Sequence, residues 1–127
     1  MDSKKEIKAW REVKMGKRFL NAFNGMHVFY KTSNHFYILV LAVIAVIFFG
    51  FYFNVSSFEW IALVFSIGFV IITEVFNTAI EIDIDLTSPD YHPFARDTKD
   101  VAAAAVVLSI FTAAIVGLIV FLPKIFS

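Results

Sequence analysis

Three apolar stretches, each of a length that suits a bilayer crossing, fill about half of this 127-residue chain. Phe36 to Phe53 runs 18 residues without a charge. Phe58 to Ile82 is the second, with Glu59 at its leading rim and Glu74 and Glu81 towards its end. Val101 to Leu122 is the third, uncharged throughout and closed by Pro123. A helix needs roughly 20 mainly apolar residues to cross the hydrocarbon core, and the stretches meet that length. The chain is 59% hydrophobic with 16 Phe, and its mean hydropathy is +0.76. A soluble domain this small cannot hide so much apolar surface. The prediction is therefore one all-α integral membrane domain over residues 1–127, with the bilayer as its solvent.

The connectors carry the orientation. Asn54-Val55-Ser56-Ser57 is a short polar turn without Lys or Arg, whereas the second connector, 83–100, holds Arg96, Lys99 and the turn-formers Ser88-Pro89 and His92-Pro93. By the positive-inside tendency the amino terminus and the second connector lie in the cytoplasm, and Lys124 lies outside. The expected place is then a bacterial inner membrane, crossed more than once. Apolar sequence begins only near Phe36, too late for a secretory signal peptide, so the chain is expected to be retained whole. It has no cysteine, hence no disulfide or thiolate chemistry.

Net charge is zero, but the signs are segregated. Eight of the 11 Lys and Arg lie in residues 1–35, and seven of the 11 acids lie between Glu74 and Asp100. A basic third joined to membrane spans points to anionic headgroups or phosphate rather than nucleic acid. Residues 1–35 read as a basic amphipathic helix on the membrane surface, with Ile7, Trp10 and Val13, then Phe19, Leu20 and Phe23, on its apolar side. Gly16 and Gly25 are the candidate breaks. A plain anchor and a catalytic segment both satisfy this pattern. Ala102 to Ala105 and Gly117 give the third span small faces for close packing.

Carboxylates inside a membrane helix are expensive and mark function. At about 100° per residue, Glu74, Asn77, Glu81 and Asp85 fall on one stripe, while Asp83 points the opposite way. A single Glu there is consistent with a protonated side chain bonded to a neighbouring helix. Four oxygen-bearing groups exceed what packing needs, and they are the hard ligands that Mg²⁺ prefers. Arg96-Asp97-Thr98-Lys99-Asp100 opens the third helix. Alone it reads as a helix N-terminal charge, Asp100, beside a solvated Lys99; next to the stripe, Lys99 is placed to hold phosphates. Asp90-Tyr91-His92-Pro93 lies in the connector, where a lone His is ordinarily a surface residue. His27 and His35 have no metal-ligand partners at useful spacing and read as interfacial. No Walker loop is present.

Together these residues resemble the prokaryotic diacylglycerol kinase family, which includes undecaprenol kinases. The match runs through Glu74-Val75-Phe76-Asn77-Thr78-Ala79-Ile80-Glu81, then Asp85, Tyr91-His92 and Lys99-Asp100-Val101 leading into the alanine-rich helix. Phe19 to Gly25 is a weaker element of it. The resemblance covers nearly the whole chain. It implies a homotrimer of three-span subunits with an amino-terminal surface helix, using ATP with Mg²⁺ to phosphorylate a lipid alcohol. Diacylglycerol, giving phosphatidic acid, is the first reading of the acceptor; undecaprenol is the alternative. The implied roles are Glu74 as general base on the lipid hydroxyl and Glu81 as metal ligand with ATP. Asn77 and Asp85 would support that site, and Asp90, Tyr91, His92, Lys99 and Asp100 would contact the nucleotide. Lys14 and Arg18 would lie near phosphates or the lipid headgroup.

One departure stands out. Many members of the family carry a metal-binding carboxylate just before the first span, but residues 13–58 here contain no Asp or Glu, and Ser33 and Asn34 occupy that neighbourhood. Two other readings compete with the kinase. A proton or ion relay would want acids spread through the membrane depth, yet the stretch from Glu59 to Glu74 is uncharged over roughly 20 Å of helix. A non-enzymatic assembly subunit leaves the acidic stripe without a purpose.

Overall fold

The computed structural model describes residues 3–12 and 14–127, so Val13 and its place on the amphipathic face lie outside the described residues. Every regular element among the described residues is an α-helix: α1 (Ser3–Arg11), α2 (Met15–Thr32), α3 (Phe36–Tyr52), α4 (Ser57–Thr87) and α5 (Pro93–Ile125). They divide into two compact units, residues 1–33 and 34–127.

The amino-terminal unit holds α1 and α2. Two helices stand where one was expected. α1 ends at Arg11 and α2 begins at Met15, and Lys14 just before it is extended at φ −67° and ψ 153°. Neither Gly16 nor Gly25 breaks α2. A glycine costs a helix interior only about 1 kcal/mol, which an 18-residue helix absorbs.

In the second unit, α4 and α5 are both long and apolar enough to cross a membrane. α3 is shorter, and a third candidate crossing is reached when α2 and α3 count together as one broken span. The helix ends have clear causes. Ser56 and Glu59 form a reciprocal capping box at the start of α4: the Ser56 hydroxyl accepts from the Glu59 N–H at 3.2 Å, and Glu59 Oε1 accepts from the Ser56 N–H at 3.0 Å. Asn54 turns the chain between α3 and α4 with φ 50°, a left-handed value that Asn tolerates. Glu59 also pairs with Lys124 at 3.2 Å, tying the start of α4 to the end of α5.

The expected connector 83–100 is mostly helical, which corrects the sequence reading. α4 continues to Thr87 and α5 begins at Pro93, leaving five residues between them. The stop at the end of α4 comes from proline: Ser88 precedes Pro89 and is pushed out of the helical region. Pro93 then takes the first position of α5, where its missing N–H costs nothing. Asp100 is accordingly not a helix-start charge; it is the eighth residue of α5.

α4 and α5 pack along most of their length. Leu63, Ser66, Glu74 and Thr78 are buried on α4, and Ala102, Val106, Ser109 and Val120 on α5, each set at steps that keep one face inward. A hydroxyl bridge crosses the pair, Thr73 Oγ1 to Ser109 Oγ at 2.8 Å. Away from the acidic end, Val55, Leu63 and Val120 form the core under Val46, Trp60 and Phe121. Here α3 approaches α4 through Gly50, which is buried against Trp60: an added Cβ would lie 2.7 Å from Trp60 Cζ2. Overpacking of this kind costs about 1–3 kcal/mol, so Gly50→Ala is expected to lower the melting midpoint in detergent.

Candidate active site

Helix register on α4 sets the site. Glu74 is 7% exposed, on the inward face, although it stands in an apolar run. One turn later Asn77 donates from Nδ2 to Glu81 Oε1 at 3.1 Å. All three line one cleft of about 510 Å³, with His35 at the N-cap of α3, Leu39 of α3 and Ala103, Val106 and Ile110 of α5 among its walls. The volume lies inside the roughly 300–1,000 Å³ typical of small-molecule sites. Its polar groups are Glu74, Asn77 and Glu81 of α4 with His35 before α3, and the remaining walls are hydrocarbon.

Asp85 leaves this group. Its carboxylate accepts from Lys99 Nζ at 2.6 Å and lines a second, neighbouring groove of about 280 Å³. That groove lies between the end of α4, the short connector and the start of α5. Asp90, Tyr91, His92, Lys99 and Asp100 line it too. The stripe on α4 is therefore shared between two cavities, with Glu81 and Asp85 one turn apart at the border. Asp83 lines neither.

The groove is built locally. His92 Nδ1 accepts from the Phe94 N–H at 3.1 Å, capping α5 and fixing the ring at the groove's edge. Arg96 donates from Nη1 to the Tyr91 hydroxyl at 3.1 Å and pairs with Asp97 at 3.0 Å. Three carboxylates (Asp85, Asp90 and Asp100) and two fixed cations (Arg96 and Lys99) face the space. A bare polyphosphate would meet too much negative charge here; one that carries a divalent cation would not.

The fit to such a cation rests on Asn77. Its Oδ1 is buried and has no hydrogen-bond partner, beside the Glu81 carboxylate. An unsatisfied buried oxygen is costly and asks for a donor or a cation. Among the described residues no three His, Asp or Glu groups come together as a complete metal cluster. Two protein oxygens plus substrate phosphates are nevertheless the ordinary environment of Mg²⁺.

Of the residues expected at the nucleotide, six line the groove and two, Asn77 and Glu81, line the cleft. Lys14 and Arg18 belong to the amino-terminal unit, Lys14 at the N-cap of α2 and Arg18 in its first turn. Two residues had been passed over. His35, read as interfacial, is part of the cleft wall. Arg96, read as part of a charged helix start, holds Tyr91. No spacing rule finds His35, which is 39 positions from Glu74 and meets it only when α3 and α4 fold together; Arg96 had a signal, a cation five residues after an aromatic hydroxyl.

Residues 20–121 match the sequence profile of prokaryotic diacylglycerol kinases. The chain belongs to that family. It is 37% identical over 108 residues to an undecaprenol kinase of Bacillus subtilis (strain 168), covering 85% of this chain and 88% of that one. A diacylglycerol kinase of Synechocystis sp. (strain ATCC 27184 / PCC 6803 / Kazusa) is 34% identical over 110 residues, and one of Escherichia coli (strain K12) is 31% identical over 75. The matched regions span 63% and 62% of those two relatives, less than two thirds of each. No solved structure matches the chain. Membership of this family makes the protein a lipid kinase of the bacterial membrane type, in keeping with its apolar helices.

Proposed function

We propose that this protein transfers the γ-phosphoryl group of ATP to the primary hydroxyl of a membrane lipid alcohol, with undecaprenol as acceptor. The observation that carries the reaction is Glu74, a buried carboxylate in an apolar-walled cleft whose polar end abuts a second, charged groove. The relative that supports the acceptor is the Bacillus subtilis undecaprenol kinase, matched over 88% of its length. Diacylglycerol is the second reading, favoured by the Synechocystis and Escherichia coli relatives.

Phosphoryl transfer depends on positioning and charge stabilisation more than on covalent help. In this reading the nucleotide enters the groove from water, where Lys99 and His92 meet its phosphates and Asp85 holds the Lys99 ammonium in place. Asp90, Tyr91 and Asp100 contact the rest of it. Glu81 and Asn77 would hold Mg²⁺, which when bound draws charge from the triphosphate. The lipid enters the cleft from the bilayer with its chain along the hydrocarbon walls. Its hydroxyl reaches Glu74, which takes the proton as the oxygen attacks the γ-phosphorus and ADP leaves. Lys14 and Arg18 belong to the same reading as cations of the surface helices near phosphate or headgroup.

The wider assembly follows from the same proposal. Residues 1–127 act as one kinase domain in the bacterial inner membrane, the amino-terminal helices lying amphipathically on the cytoplasmic face and three spans crossing. Three copies associate, using apolar residues that one chain leaves exposed on α4 and α5, among them Phe65, Phe69, Leu108 and Phe111. Radiolabelled phosphate transfer from ATP to undecaprenol and to dioleoylglycerol, in parallel micelles, is the test. Label is expected on undecaprenol at the higher kcat/KM. Preference for dioleoylglycerol would reverse the acceptor, and label on neither would remove the proposed function.

A further inference from the structure

Arg96 has no part in the transfer described so far, yet it is the most elaborately held cation of the groove. Its backbone N–H donates to the His92 carbonyl at 3.0 Å, in the first turn of α5, so the side chain starts from a rigid element. Its guanidinium is held from behind: Nε and Nη2 both donate to Asp97 Oδ1, at 3.2 and 3.0 Å. Asp97 lines a different hollow, beside Ile80 and Phe94, whereas Arg96 and Tyr91 line the groove. Nη1 then donates to the Tyr91 hydroxyl at 3.1 Å. A chain of contacts runs from carboxylate to guanidinium to phenol and ends in the groove.

Stability does not account for this chain. The Arg96 and Asp97 side chains are both more than half exposed, and an exposed ion pair adds little to folding. What the chain fixes is Tyr91. That residue lies in the short connector between α4 and α5 and is 75% exposed, and an exposed side chain without a tether changes rotamer freely. Arg96 also decides what the phenol can do. A guanidinium carries donors alone, so the phenol oxygen is the acceptor of this bond. A phenolic hydrogen lies near the ring plane, on one side of its oxygen or the other. The Arg96 N–H takes one side and leaves the hydrogen on the other. Hydrogen bonds in series polarise one another, so a hydroxyl that accepts from a cation becomes the stronger donor. The acceptor that gains most from such a donor is an anionic oxygen.

We propose that Arg96 is a positioning residue for the nucleotide: it fixes the Tyr91 phenol so that the phenol O–H donates to a phosphate oxygen in the groove. The inference rests on the proposed function, in which that groove takes MgATP. Arg96 acts through Tyr91, and no covalent bond to either side chain forms or breaks during transfer.

The test is a double-mutant cycle read by steady-state kinetics of purified protein in mixed micelles, with MgATP and undecaprenol varied separately. Tyr91→Phe removes only the hydroxyl, and Arg96→Met keeps the stem without the guanidinium. Each is expected to raise the KM for MgATP about tenfold, the scale of one lost hydrogen bond to a charged group. The double variant is expected to lose about tenfold as well, where independent contacts would multiply to about a hundredfold. The KM for the lipid is expected to stay within about twofold in all three, since the groove is not the lipid cleft. Arg96→Lys, which keeps a cation and a donor, is expected to recover most of the loss. An unchanged MgATP KM in either single variant would overturn the proposal, and so would multiplying losses in the double. Equal losses in the Met and Lys variants would mark a packing role and overturn it too. If Arg96→Met does not assemble, Arg96→Gln, whose amide is shorter in reach, takes its place in the same cycle. Lys99→Ala run alongside separates the two levels. An unchanged MgATP KM there would defeat the groove as the nucleotide site and this inference with it, whereas a raised one beside a wild-type Arg96→Met would defeat this inference alone.

Discussion

Glu74→Gln is expected to lower kcat by about 10²–10⁴-fold, the usual share of a positioned general base, without loss of the assembled protein. Glutamine matches glutamate in shape and keeps an oxygen in the same place, so the cleft walls of Ala103, Val106 and Ile110 stay packed. It cannot take a proton from an alcohol. Burial makes the substitution informative, because a neutral amide is cheaper to place in an apolar wall than a carboxylate. Melting midpoint and oligomeric state should thus be equal to or better than wild type while turnover collapses. The KM for MgATP should hardly move, since the nucleotide sits in the neighbouring groove in this reading. A purified Glu74→Gln protein with more than a tenth of wild-type kcat would take the base role away from this residue.

How much of this was legible in the sequence depends on which physical signal each element carries. The three apolar runs announced α3, α4 and α5, because an uncharged stretch of membrane length has few other uses. Periodicity put Glu74, Asn77 and Glu81 on one face, and the structure brings those three into one cleft. Asp85 obeys the same periodicity yet lies in a different cavity. Angle along a helix says nothing of what packs against each turn, and α5 supplies Lys99 as the partner of Asp85 at 2.6 Å. The connector 83–100 was bounded by the ends of two apolar runs, whereas a helix runs on past the end of apolar sequence until a steric reason stops it, here Pro89 and Pro93. Ser56 to Glu59 had the capping-box spacing in plain view, and that is why α4 starts where it does. The interruption between α1 and α2 has no Pro or Gly within it, and no feature of the described residues explains it. His35 was out of reach altogether. Its meaning depends on a contact between helices, and such contacts leave no mark in local spacing.

Glu81→Gln is expected to raise the KM for MgATP by roughly 10–150-fold, the scale of about 1.5–3 kcal/mol for a hydrogen bond or ligand contact to a charged group, with a much smaller change in the KM for lipid. The logic lies in what the substitution preserves. The glutamine carbonyl can still accept from Asn77 Nδ2, the contact made at 3.1 Å in the wild type, so the polar end of the cleft keeps its shape. What disappears is one negative charge beside Asn77 Oδ1, the buried oxygen with no partner of its own. A divalent cation would then have two neutral oxygens where it had a carboxylate and an amide, and it would be held by phosphate and water more than by protein. Raising free Mg²⁺ should therefore restore part of the lost kcat/KM in Glu81→Gln and none in Glu74→Gln, because only the first defect is one of cation affinity. A titration of Mg²⁺ at fixed ATP in both variants reads this directly. If excess Mg²⁺ left Glu81→Gln unimproved, or improved both alike, Glu81 would not be the carboxylate that holds the metal.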